Sequence, residues 1–403
     1  MGPDCLVHDT SLRGLRWRWA VLALLYLVLL WCGYQMLRTV WQATAAGRWM
    51  ILAAGLLVYE LVLLWRGLKD NHRRGESALL PTLGAPNMLT LLRGVVLGFL
   101  AGFVLSPLPP GGLSWVPALL YTLAIVLDYL DGYLARVTHH ATVLGETLDV
   151  EFDALGVLVA TCLAVHYRQL PWWYLALGLS RYLFMFGIWW RKRRDKPVYE
   201  LTPSVGRRMV AGFHMGFLSV MLWPLFYPPV TTLASLVFAM PFTASFVRDW
   251  LVVSGGLDPS SEGYLKARHM IATLSTHWLP VLLRAGVAVI MINLLFQALV
   301  SASEQGLLSA RAAVTLQNLT AVGISLMALV ATIMLALGMA ARVAALGVLI
   351  AASADILARG LHPYNAFLLT SSILLMLLGS GALSCWRPED GILTQRAGAR
   401  MEH

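Results

Sequence analysis

The sequence predicts an all-α polytopic membrane protein. Hydrophobic residues make up 58% of the 403 residues, whereas charged residues make up only 13%. A soluble protein carries about twice that share of charge. The mean hydropathy is +0.70, and about twelve stretches approach the roughly 20 apolar residues that one bilayer crossing requires.

The predicted spans fall into three groups along the chain. Two spans precede a basic connector, six follow it, and four come after a more polar segment. We therefore expect two N-terminal helices with the connector over 1–80, a six-helix core over 81–256, a linker over 257–277 and a C-terminal four-helix module over 278–403. The twelve spans are 17–36, 50–65, 88–105, 113–130, 148–165, 172–190, 210–226, 231–253, 278–300, 314–337, 340–357 and 366–383.

The distribution of Lys and Arg predicts the orientation of these spans. The formal net charge is +9, and the basic residues concentrate in alternate loops, including the run 191–194. Basic loops stay on the cytoplasmic side, so we expect both termini and the aspartate-rich loop region inside, most simply in the cytoplasmic membrane. Three isolated residues, Arg38, Arg48 and Arg168, depart from this pattern. Basic residues in cytoplasmic loops, next to anionic lipid headgroups, account for the positive net charge. We therefore predict no nucleic-acid partner.

The most informative stretch joins the ends of two predicted spans. It reads Asp128-Tyr-Leu-Asp131-Gly132-Tyr-Leu-Ala135-Arg136, followed after eight residues by Gly145 and then by Asp149 and Asp153 at intervals of four. Spacings of three and four place each pair of acids on one helix face. Carboxylates in membrane spans are costly and usually functional. Four of them together would favour hard divalent cations, whereas simple helix capping requires no such spacing.

The spacing D-x2-D-G-x2-A-R-x8-G-x3-D-x3-D resembles the signature of the CDP-alcohol phosphotransferases at every fixed position. Residues 86–93, Pro-Asn-Met-Leu-Thr-Leu-Leu-Arg, resemble the start of the first core helix in that family. The resemblance implies a core of six helices and two divalent cations, Mg²⁺ or Mn²⁺, held by the aspartates. The predicted metal ligands are Asp128, Asp131, Asp149 and Asp153, and the resemblance makes Asp153 the catalytic base.

Five further residues are predicted to bind the nucleotide. Small side chains leave a helix surface open to a bulky ligand, which assigns Gly132, Ala135 and Gly145 to the nucleotide site. Arg93, one turn into the membrane, is expected to contact the diphosphate or an aspartate, although an arginine there can also extend to lipid headgroups. Arg136 is equally well interpreted as a diphosphate contact or as a cytoplasmic anchor.

Two basic segments resemble acceptor-binding segments of phosphatidylglycerophosphate synthases. They are 178–181, which contains Arg181, and 204–208, which contains Arg207 and Arg208. Tyr182 stands where the family has Glu, and Arg207 replaces the first Lys. The three arginines still predict a pocket for a phosphorylated acceptor. A structural ion pair at Arg181 and a simple topological role for the other two are the alternatives.

The C-terminal spans weakly resemble DoxX-like four-helix membrane proteins, on short patterns of small residues over 278–389. Arg342 and Asp355 lie in one predicted span, where they mark either a second site or satisfied helix–helix contacts. We favour the second interpretation. Glu60, near one end of the second span, suggests no role by itself.

These resemblances imply an integral membrane phosphatidyltransferase of phospholipid synthesis. The expected donor is CDP-diacylglycerol, the released product is CMP, and glycerol 3-phosphate is the favoured acceptor. An inositol phosphate or an uncharged alcohol is the alternative acceptor, and a non-catalytic scaffold or transporter is the alternative class of protein. The family resemblance also suggests a homodimer.

Overall fold

The computed structural model describes residues 3–76, 78–138, 141–201, 205–304 and 316–386. Over these residues the regular structure is helical, and the β-type pairing is a single bridge between Met339 and Trp386. The predicted all-α class is therefore confirmed. The chain divides into two compact units. The first comprises Met1–Leu183 and Met215–Tyr227, and the second comprises Phe184–His214 and Pro228–His403.

The helices are distributed over the two units. The first unit contains α1 Pro3–Val40, α2 Ala43–Gly67, α3 Gly84–Ala101, α4 Val116–Val137, α5 Val143–His166 and α6 Leu175–Gly178. Two helices, α7 Ser180–Arg193 and α8 Val205–Met221, have residues in both units. The second unit contains α9 Val230–Val253, α10 Glu262–Thr273, α11 Leu279–Glu304, α12 Leu316–Leu337, α13 Ala341–Arg359 and α14 Pro363–Leu378.

Each of the twelve predicted spans overlaps at least one of these helices. Among the described residues, seven helical stretches are long and apolar enough by themselves to cross a membrane. Helix α5 is not one of them, because its first half carries the acids of the motif. The segment predicted as a linker contains α10, followed by a π-helical turn over Leu274–Trp278 that leads into α11.

A row of three glycines brings α2 close to α3. Gly94 and Gly98 lie on one face of α3, and Gly102, the C-cap of that helix, continues the row at the same interval of four. A Cβ atom at Gly98 would lie 2.6 Å from the Leu57 side chain, and one at Gly94 would lie 2.6 Å from Glu60 Oε2. Small residues allow such close packing of membrane helices, so α2 occupies the space that side chains would fill.

Hydrogen bonds from aromatic side chains join the two N-terminal helices to α3. Tyr26 of α1 donates through its hydroxyl to the carbonyl of Leu91, 3.0 Å away, and Trp49 of α2 donates from Nε1 to the carbonyl of Phe99 at 2.9 Å. Both acceptors lie in α3. Helices α1 and α2 are therefore integrated into the first unit.

Helices α3, α4 and α5 form the centre of the first unit. Leu97 and Leu100 of α3, Tyr121 of α4 and Phe152 of α5 are almost completely buried. A Cβ atom at Gly156 of α5 would lie 3.3 Å from the Leu97 side chain. This packing places the last part of α4 beside the first part of α5, where the acids of the motif lie.

In the second unit a buried arginine binds the ends of neighbouring helices. Arg284 of α11 donates to the carbonyls of Leu335 and Ala336 at 2.6 and 3.0 Å, and to that of Ser380 at 2.9 Å. A guanidinium has five donors in a fixed geometry, which suits several carbonyls at once. Arg284 thus joins α11 to the end of α12 and to the segment after α14.

Arg342 and Asp355 are each satisfied by partners in the second unit. Arg342 donates to the carbonyl of Met376 at 3.0 Å. Asp355 accepts from Asn365 at 2.9 Å and lies 3.4 Å from Arg359. Met376 and Asn365 both belong to α14, so these contacts agree with satisfied helix–helix packing.

Candidate active site

Three of the four motif aspartates converge in the first unit. Asp128, Asp131 and Asp149 each contribute one carboxylate oxygen to a group in which all oxygens lie within 4.8 Å of one another. The first two acids lie on α4 and the third lies on α5. Asp131 is buried, whereas the side chains of Asp128 and Asp149 keep 33% and 45% of their exposure. A ligand can therefore reach the cluster from one side.

Arg93 of α3 connects the cluster with the fourth aspartate. Its guanidinium pairs with Asp128 through Nη1, with Asp149 Oδ1 at 2.7 Å through Nη2, and with Asp153 Oδ1 at 3.3 Å. Arg93 is only 2% exposed. The predicted contact of this arginine with an aspartate is thus present, and all four motif acids lie around one buried cation.

A threonine that the sequence did not single out supports the most buried acid. Thr90 lies one turn before Arg93 on α3, and its hydroxyl donates to Asp131 Oδ2 at 2.9 Å. Residues three apart share a helix face, so both side chains point towards α4. The sequence shows that Thr90 and Arg93 share a helix face. The contact of Thr90 with Asp131 becomes evident only from the position of α4.

A small cavity adjoins the aspartates. Its volume is about 110 Å³, and its lining includes Asp131, Asp149 and the three small residues predicted for the nucleotide, Gly132, Ala135 and Gly145. Arg136 is exposed in the last turn of α4. The structure therefore brings the small residues together beside the acids, and Arg136 Nη1 lies 3.5 Å from the position of a Cβ atom at Gly132.

Gly145 lies against a hydrogen-bonded network at the start of α5. Thr142 accepts from the Gly145 N–H at 3.0 Å as the N-cap of that helix, and Asn87 of α3 donates to the same hydroxyl at 3.0 Å. A Cβ atom at position 145 would collide with Asn87 Oδ1. The glycine is needed for the close approach of α3 and α5.

The arginines predicted to bind the acceptor have protein partners. Arg181 lies 3.0 Å from Glu151 Oε1 of α5, within the first unit. Arg207 lies 3.4 Å from Asp249 Oδ2 of α9, within the second unit. Arg208 is exposed on α8, and Ser204 of the same segment lies outside the described residues. These contacts neither establish nor remove a role in acceptor binding.

The chemistry of the aspartate cluster fits divalent cations. Carboxylate oxygens are the ligands that Mg²⁺ prefers. Four carboxylates surround a single guanidinium, so acids remain in excess of the local positive charge, and like charges this close are unfavourable without a counter-ion. Asp128, Asp131 and Asp149 are the residues that could hold a metal.

The fold and the site together define a helical membrane protein with an aspartate centre at the meeting point of three helices. The family model for CDP-alcohol phosphatidyltransferase matches residues 83–255. This segment extends from the start of α3 to the end of α9 and includes all four aspartates. Residues 83–255 are therefore a CDP-alcohol phosphatidyltransferase domain, as the sequence motif predicted.

Curated relatives are similar to part of the chain. A Mycobacterium tuberculosis (strain H37Rv) protein named as a cardiolipin synthase is 29% identical over 144 residues, which are 35% of this chain and 65% of the relative. A CDP-diacylglycerol–glycerol-3-phosphate 3-phosphatidyltransferase of Salmonella choleraesuis is 36% identical over 89 residues, 22% of this chain and 47% of the relative. The chain thus spans less than two thirds of each relative. No solved structure shows a significant match.

Proposed function

We propose that the protein is an integral membrane enzyme that transfers the phosphatidyl group of CDP-diacylglycerol to an alcohol and releases CMP. The observation that carries this proposal is the convergence of Asp128, Asp131 and Asp149 beside a small cavity, in the domain whose family is defined by transfers of this kind. A non-catalytic scaffold would not need a partly exposed cluster of acids at that position.

The proposed cofactors are two divalent cations, Mg²⁺ or Mn²⁺. The residues that would hold them are Asp128, Asp131, Asp149 and Asp153. When bound, such ions supply positive charge that neutralises a diphosphate and a developing phosphate leaving group. The partial exposure of Asp128 and Asp149 leaves these acids accessible to a ligand.

Asp153 is the proposed base. In the reaction the acceptor oxygen forms a bond to the lipid-bearing phosphorus, and the bond from that phosphorus to the CMP oxygen breaks, with the electron pair leaving on CMP. The acceptor hydroxyl proton passes to the Asp153 carboxylate. A base needs a free lone pair within reach of the hydroxyl. The assignment of Asp153 is supported by its side chain, which remains 42% exposed and contacts Arg93 through Oδ1.

The cavity beside Gly132, Ala135 and Gly145 is the proposed site of the cytidine diphosphate group. The absence of large side chains there lets a nucleotide approach the backbone. Arg136, at the exposed end of α4, is the proposed diphosphate contact. Arg93, which the sequence also offered for this role, pairs with the acids of the site instead.

Glycerol 3-phosphate is the proposed acceptor, and its phosphate would bind Arg181, which is 37% exposed beside Glu151. The name of the Salmonella relative includes this acceptor. Arg207 and Arg208 are also proposed to bind the acceptor phosphate, and this proposal rests on the sequence. The longer match to proteins named as cardiolipin synthases makes cardiolipin synthesis an alternative reaction. An inositol phosphate and an uncharged alcohol follow as further acceptors.

The proposed setting is the cytoplasmic membrane, with the aspartates and both termini on the cytoplasmic side. The positive-inside distribution of Lys and Arg supports this orientation. A homodimer is the proposed assembly and rests on the family resemblance.

The experiment mixes the purified full-length protein, in lipid nanodiscs with Mg²⁺, with CDP-diacylglycerol and each candidate alcohol. We expect CMP release only with a cognate acceptor, complete loss of release with EDTA, and recovery with Mg²⁺ or Mn²⁺. Full activity in EDTA would contradict the cation site. Absence of CMP release with every acceptor, from protein that binds Mn²⁺, would favour the scaffold or transporter.

A further inference from the structure

Glu60 is a buried acid outside the matched family domain. It lies on α2, it is 0% exposed, and neither carboxylate oxygen has a hydrogen-bond partner among the described residues. Burying a carboxyl group without a partner is costly. The packing of α2 against α3 of the family domain offers a reason for an acid at this position.

The glycine row on α3 directs Glu60 towards the aspartate site. Glu60 Oε2 lies 2.6 Å from the position of a Cβ atom at Gly94, so the carboxyl group packs directly on the backbone next to Arg93. Phe152 of α5 closes the same space. Arg93 directly precedes Gly94 in the chain, and its side chain is almost completely buried as well.

Arg93 also has an unused donor. Its terminal nitrogens bind the acids of the site, whereas Nε is buried and has no partner among the described residues. Divalent cations held by Asp128 and Asp149 would compete with the guanidinium for these carboxylates and would repel it. Because Arg93 is only 2% exposed, its charge needs another acid inside the protein.

We propose that Glu60 is a positioning residue that becomes the partner of Arg93 when divalent cations occupy the aspartates. This inference rests on the proposed cation site. Without cations, Arg93 holds the aspartates together; with cations, Glu60 receives the displaced guanidinium. The N-terminal helices thereby supply a functional part of the site that lies outside residues 83–255.

The test measures Mn²⁺ affinity of the purified full-length protein by electron paramagnetic resonance, without substrate. Glu60→Gln should raise the Kd for Mn²⁺ about tenfold, because a charge-assisted hydrogen bond to Arg93 is lost in the loaded state only. Glu60→Met, which removes the polar group, should act in the same direction. Asp355→Asn, a change to a carboxyl group in the second unit with its own partners, is the matched control and should leave the Kd unchanged.

A double-mutant cycle separates this role from simple packing. In an Arg93→Met background, Glu60→Gln should change the Kd less than twofold, since the displaced charge is absent. An unchanged Kd in both Glu60 variants, or an equal loss in the Arg93→Met background, would overturn the inference. A large drop in the Tm of both Glu60 variants, measured without cations, would also overturn the inference. The proposed role of Glu60 exists only when cations occupy the aspartates. Failure of the wild-type protein to bind Mn²⁺ would instead contradict the proposed cation site and this inference together.

Discussion

Arg93 Nη2 lies 2.7 Å from Asp149 Oδ1, an ion pair that joins the first helix of the family domain to the second half of the aspartate motif. The two residues are 56 positions apart in the chain. The same guanidinium also pairs with Asp128 and Asp153. Arg93 is thus the common counter-ion through which α3, α4 and α5 meet.

The first prediction concerns the base. Asp153→Asn keeps the shape of the side chain but removes its basicity, so we expect kcat to fall by about 10²–10⁴ while CDP-diacylglycerol still binds. Asp131→Asn, at a buried position among the predicted ligands, should weaken both binding and turnover. Single-turnover CMP release and equilibrium binding separate the two effects. Turnover of Asp153→Asn comparable with wild type would assign the base to another group.

The second prediction distinguishes an acceptor contact at Arg181 from a structural ion pair. Arg181→Ala should raise the acceptor KM about ten- to a hundredfold, the value of a charge-assisted hydrogen bond, with little effect on the KM for CDP-diacylglycerol. The matched variant Glu151→Gln removes only the partner of Arg181 and should not raise the acceptor KM. If both variants lowered Tm equally and left KM unchanged, the ion pair would be purely structural.

The third prediction concerns the approach of α3 to α5. Gly145→Ala introduces a Cβ atom that collides with Asn87, and overpacking of this kind costs about 1–3 kcal/mol. We expect a lower Tm and weaker nucleotide binding. The control is Gly55→Ala on the exposed face of α2, where a Cβ atom has no neighbour within 4 Å; it should stabilise by about 0.5–1 kcal/mol. Equal Tm values for the two variants would contradict the prediction.

The fourth prediction tests whether the C-terminal helices are a separate module. Arg284→Leu leaves several buried carbonyls without a donor, at a cost of about 1–3 kcal/mol for each such group. We expect faster hydrogen exchange in the C-terminal helices, because their opening free energy falls, and unchanged CMP release at low temperature. Loss of catalysis from protein that is still folded would show that these helices contribute to the chemistry.

Much of the site could be predicted because its residues are close in sequence. Asp128 and Asp131 share one helix and Asp149 lies on the next, so helical spacing and one short loop were enough to expect their convergence. The placement of Arg93 beside an aspartate was also predicted. Thr90 and Asn87 were missed as contributors, because a hydroxyl or an amide in a helix gives no indication of its partner until the neighbouring helix is placed.

The sequence by itself determined the helical membrane class, the family of residues 83–255 and the identity of the motif acids, since hydropathy and residue spacing are properties of the chain alone. Only the tertiary structure decided the position of Glu60. A lone acid near the end of an apolar span has no predictable partner. The burial of Glu60 depends on the glycine row of α3, which lets the carboxyl group pack on the backbone at Gly94, next to Arg93 in the chain. Partner choice between distant helices is set by packing, and packing is the information that local sequence patterns do not contain.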